Sequence, residues 1–155
     1  MKPLEVLVRA LCMSLGLCPA LASPATYRVD DSATIPLESN AVLRWRQVAP
    51  SRTMDNTVEG STAVQVRLNL APWLKRNGRV FLVLPEQPPG RVSVRWTTQG
   101  RLLPGQLVSG QRALVYAGPI TAPMIEETLA LRIETDGTRL ASTYRLAFHF
   151  EIDVD

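Results

Sequence analysis

The sequence predicts an all-β protein: an antiparallel β-sandwich, immunoglobulin-like in general architecture, with a closed β-barrel as the second choice. Three observations point there. Apolar residues recur with period two in several short runs. Turn dipeptides built on Gly and Pro stand between those runs. Beyond the first 22 residues, no long stretch carries the 3.6-residue periodicity of an amphipathic helix. Seven or more short strands at this spacing suit two packed sheets; a barrel needs the same alternation plus closure.

The first 22 residues read differently. Lys2 and Arg9 precede an apolar run, Ala10–Cys18, which Pro19 ends; Ala20 and Ala22 then place small residues before a cut ahead of Ser23. That is the three-part plan of a cleaved secretory signal. The run is far shorter than the ~20 residues needed to cross a bilayer, and no later stretch is apolar enough to cross one. Leu17 stands before Cys18 where a lipid-attachment signal wants a small residue. Both cysteines of the chain, Cys12 and Cys18, fall in this leader, so the remaining chain has no thiol for a disulfide, a metal or a nucleophile. A domain of this length buries roughly two thirds of its unfolded surface and folds without such staples. The expected address is the periplasm or cell surface of a Gram-negative bacterium.

Residues 23–40 read as an extended N-terminal arm, with Pro24, Pro36 and Asp30-Asp31-Ser32 interrupting an alternation of Ala25, Tyr27 and Val29, then Ile35 and Leu37. Residues 41–155 read as the sandwich. Ala41–Val48 is a strand. In Thr62–Leu70, Val64, Val66, Leu68 and Leu70 face one way and Gln65, Arg67 and Asn69 the other. Pro72–Gly78 is the one expected helical turn, with Pro72 at its first position and Gly78 as its cap. Arg79–Leu84 is continuously apolar and reads as a central strand covered on both faces. Arg91–Thr98 sets Val92, Val94 and Trp96 against Ser93, Arg95 and Thr97. Arg112–Tyr116 and Glu127–Glu134 follow. Asp136-Gly137 reads as a type I′ hairpin turn, and Arg145–Val154 closes the chain with Leu146, Phe148, Phe150, Ile152 and Val154 on one face.

Charge excludes more than it assigns. The chain has 17 basic and 14 acidic residues, a formal +3, with no block of like charge. A nucleic-acid binder needs a dense basic face, so none is expected as partner. The sole histidine, His149, lies by parity on the outer face of the last strand beside Glu151 and Asp153. It reads as a solvated or cross-strand-paired side chain rather than a general base. Neither a Gly-x-Ser-x-Gly elbow nor a calcium loop occurs. The acidic stripe Glu151, Asp153 and Asp155 is expected to pair across strands with arginines such as Arg91 and Arg95. No catalytic residue, cofactor or metal ligand is assigned.

Four residues are candidates for contact with a partner: Trp73, in the turn; Tyr27 and Val29, on the arm; and Trp45, between Arg44 and Arg46. By parity Trp96 belongs to the core, and so does Trp45, although an aromatic flanked by guanidinium groups can also form a stacking platform. The expected function is that of an exported, non-enzymatic structural or protein-interaction component, in its narrower form a pilus-type or surface-assembly subunit capable of self-association. The alternatives are a periplasmic carrier of a small apolar ligand, which requires a cavity, and a hydrolase that uses carboxylates.

Overall fold

β-Branched and aromatic residues at alternate positions favour extended chain, because a pleated strand can bury one face and hydrate the other. In the computed structural model, which describes residues 25–38, 40–47, 55–86, 90–140 and 145–154, that pairing produces ten strands: β1 Ala25–Arg28, β2 Ile35–Pro36, β3 Arg44–Trp45, β4 Thr57–Asn69, β5 Asn77–Leu84, β6 Val92–Thr97, β7 Gly105–Val108, β8 Gln111–Pro119, β9 Met124–Asp136 and β10 His149–Val154. The predicted leader and its cut site lie outside the described residues. No described helix is long and apolar enough to cross a membrane.

The strands form two antiparallel sheets, ordered β1-β10-β5-β8 and β2-β4-β9-β6-β7, with β3 also on β4. The sheets stay separate, so the protein is a β-sandwich and not a closed barrel. From β4 to β10 most connections change sheet, β6–β7 being the hairpin within one. The core lies between the layers. It takes Val64, Val66, Leu68 and Leu70 from β4 and its end, Val92, Val94 and Trp96 from β6, and Phe150, Ile152 and Val154 from β10. These are the faces that period-two alternation selects.

Several elements differ from the sequence expectation, each for a local reason. In β5, Val80, Leu82 and Leu84 are buried but Phe81 and Val83 only half-buried. The run is therefore covered on one face, and Arg112 lies 4.2 Å from the Phe81 ring centre on the other. The helical turn is a single 3₁₀ turn, Ala71–Trp73, and the left-handed residue that ends it is Lys75 (φ 65°). Gly78 lies inside β5, opposite Gly118 and Val154. Asp136-Gly137 does not form a tight hairpin: a 3₁₀ turn, Gly137–Arg139, follows, and the Asp136 carboxylate accepts the Thr138 N–H (2.9 Å). Glycine is needed there because Trp45 and Val58 sit where a Cβ would be, within 2.6 and 2.5 Å. The predicted strand at 41–48 shrinks to Arg44–Trp45 among the described residues. In the last predicted strand the ladder starts only at His149.

The arm is not a free extension. β1 pairs with β10, an isolated bridge joins Asp30 to Asn69, and β2 and β3 pair with β4. Residues 25–38 and 40–47 thus edge both sheets along one side of the sandwich.

Candidate interaction site

Two of the four candidate residues come together. Tyr27 on β1 and Trp73 in the 3₁₀ turn have ring centres 6.1 Å apart, tilted by 43°. Tyr27 is 47 % exposed and Trp73 half-buried against the core, so the pair presents aromatic surface beside the outer edge of β1. Leu74, also exposed, adjoins it in sequence. Val29 does not belong to this surface. Expected as a contact on the arm, it is 1 % exposed and part of this chain's own core, and its N–H donates to the Phe150 carbonyl (2.9 Å). The arm fills the edge of its own sheet, which is why Val29 is unavailable to a neighbour. Trp45 is elsewhere, at the β3–β4 edge. Its register partner Val58 is buried, so parity points it inward as expected, but it stands 41 % exposed at the end of the layer instead of being enclosed.

The polar faces are organised by ion pairs. On the outer face of the four-stranded sheet, Asp153 accepts Thr26 Oγ1 (2.6 Å) and both Arg112 Nη atoms (3.2 and 3.3 Å). Burial favours its neutral form, but the hydrogen bonds from Thr26 and Arg112 and the charges of Arg112 and Arg79 outweigh that and hold its carboxyl below the ordinary 3.8. This corrects the expectation that Arg91 and Arg95 pair with the acidic stripe: β6 is in the other sheet, and Arg95 instead bonds Gln106 (3.3 Å). His149 Nε2 lies 3.2 Å from Glu151 Oε1, two residues along the same strand, so its partner is not across the sheet as expected but beside it on the outer face that parity predicts.

The outer face of the other sheet holds an open groove of about 580 Å³, lined by Glu38, Arg44, Arg46, Glu59, Ser61 and Arg132 among others. Arg46, Glu59 and Arg132 within it are ion-paired. Glu59 binds Arg132 (2.7 Å) and Arg46 (3.3 Å), and Arg46 also binds Glu134 (3.0 Å). The hydrogen bond from Arg132 holds the Glu59 carboxyl below its ordinary value, the opposite of what a general acid needs. Between the sheets, the cavity lined by Leu82, Leu84, Val94, Leu107 and Phe148 measures about 10 Å³, room for about one water. Among the described residues no three His, Cys, Asp or Glu side chains are placed to hold a metal ion.

Sequence reading missed one polar anchor. Glu127 on β9 accepts the backbone N–H groups of Gly100, Arg101 and Leu102 (2.8, 2.7 and 3.0 Å), and so fixes the β6–β7 loop. Its parity, inward between Ile125 and Leu129, was the available signal: a carboxylate on a core-facing position needs donors. No family profile, curated protein or solved structure matches this chain.

Proposed function

We propose that the chain is an exported, non-enzymatic β-sandwich that serves as a structural or protein-interaction component of the periplasm or surface of a Gram-negative bacterium, and that its contacts run along the side edged by the arm. One observation carries the reading. Of nine exposed large hydrophobic side chains among the described residues, five (Tyr27, Ile35, Leu37, Val42 and Trp45) lie on the segment that edges both sheets. Isolated surface apolars are ordinary, but a concentration on one side marks a contact surface. Among the described residues nothing pairs with the outer edge of β1, which adds backbone groups that are a ready template for another strand. The pilus-type form of this reading requires the arm to be shared between neighbours; the four-residue pairing of β1 with β10 is the part that exchange would replace.

The test is site-specific photo-crosslinking in the producing cell. A photo-reactive residue at Tyr27 is expected to give a discrete adduct in the periplasmic or surface fraction, whereas one at Thr128, exposed on the far face of β9, gives none. Protein isolated from that fraction is expected to begin at Ser23. Equal labelling at both positions, or a chain kept in the cytoplasm with its first 22 residues, would defeat the reading.

A further inference from the structure

We infer that the partner at the β1 edge is a second copy of this chain, joined antiparallel through β1 about a two-fold axis at Tyr27. The inference rests on the contact side just proposed and adds its occupant. Because Val29 donates to Phe150 and antiparallel pairs alternate between bonded and non-bonded, the odd residues of β1 spend their backbone groups on β10. The N–H and C=O of Thr26 and Arg28 therefore point outward from the sheet.

Two such edges satisfy each other when Thr26 of one copy opposes Arg28 of the other. That register makes four backbone hydrogen bonds and puts Tyr27 opposite its own symmetry mate. The contact is isologous, closes on itself and leaves no further edge of this kind to extend it. Like charges do not meet, since each arginine faces a threonine. Edges that avoid such pairing are very short or carry charged side chains, proline or a bulge; β1 is short and carries Arg28, but it holds no proline or bulge, and in this register Arg28 meets a threonine. On the interior-facing side the two tyrosines meet in a non-bonded pair, the closer kind, and each already packs on a Trp73. Four rings then line the junction, and cross-strand aromatic pairs are among the more favourable ones. The two four-stranded sheets become one continuous sheet, and the same axis turns the arm-edged side of one copy toward that of the other.

The chemistry of the register supplies the test. Cα atoms of a non-bonded pair lie about 4.5 Å apart, within the range a disulfide spans. Tyr27→Cys is placed in the full chain with Cys12→Ser and Cys18→Ser, so that the new thiol is the sole one whether or not the leader is removed. On mild oxidation it is expected to form roughly ten-fold more disulfide dimer than Thr128→Cys in the same background. Adding Arg28→Pro, which removes an outward N–H without touching a bond to β10, is expected to return dimer to the control level. Sedimentation of the unaltered chain, which does not depend on how the variants fold, is expected to show a concentration-dependent dimer that Arg28→Pro abolishes. Oxidation equal to Thr128→Cys, or a monomer at every concentration, overturns the inference. If the photo-adduct at Tyr27 contains a different protein, the pairing fails and the contact side stands; if Tyr27 gives no adduct at all, both fail.

Discussion

At the residue scale, Asp153 shows how a surface position becomes structural. Parity places it on the outer face of β10, yet it is 5 % exposed, roofed by Thr26 from β1 and Arg112 from β8. It links the two outer strands of the sheet, β1 and β8, across β10 and β5. Removing it leaves the Thr26 hydroxyl without its acceptor and Arg112 with only the more distant Glu151 (3.7 Å), at a cost of about 1–3 kcal/mol. Asp153→Ala is therefore expected to lower unfolding free energy by that amount in a denaturant titration at pH 7. A loss below about 0.5 kcal/mol, the scatter of ordinary surface substitutions, would show that the carboxylate is not holding β1. Trp96 is the apolar counterpart. Its ring is 1 % exposed, and its indole N–H donates to the Leu103 carbonyl (2.8 Å), so the largest core side chain also satisfies its polar atom.

At the element scale, the β6–β7 loop is held by side chains on either side of it. Glu127 takes three consecutive N–H groups, Trp96 takes the Leu103 carbonyl, and Leu103 N–H reaches the Val115 carbonyl in the other sheet (2.7 Å). That last bond lands where β8 bulges against Val80/Phe81 of β5, so the bulge and the loop together cover part of the β8 edge. Glu127→Ala is expected to speed amide exchange at Gly100, Arg101 and Leu102 while leaving β5 and β10 unchanged. Unaltered exchange at those three amides would mean the loop is fixed by other contacts. Among the described residues β1 has no comparable cover, which is the physical difference between the two edges of this sheet.

At the scale of the whole molecule, the carboxylates act in one direction. Asp30, Asp55 and Asp136 are held below the ordinary 3.8 by hydroxyl and backbone donors of Ser32, Thr57 and Thr138; Glu59 is held below 4.5 by Arg132, and Asp153 is lowered as well. A carboxyl whose folded value is depressed stabilises the fold above its unfolded value, and that contribution disappears as pH falls through the folded one. At acid pH the unfolded chain binds more protons, so stability rises with pH there. The denaturation midpoint is expected to be insensitive to these groups above about pH 5 and to fall steadily below about pH 4. A midpoint as high at pH 3 as at pH 6 would contradict it.

The sequence alone determined the layer type and most of the core. Alternation decides which side chains leave water, so β4 from Thr62 onward, β6 and β10 could be oriented residue by residue, Trp96 included. It could not decide what depends on sheet membership. Arg95 and Asp153 look like partners along the chain but belong to different sheets, whereas Arg112, distant in sequence, lies two strands from β10 and reaches its carboxylates. The same holds for the candidate contacts. Tyr27 and Trp73 become neighbours, and Val29 becomes core, only because the arm lies against β10. Periodicity is local and reports a face; which strand lies beside which is set by long-range burial, and that only the tertiary structure decides.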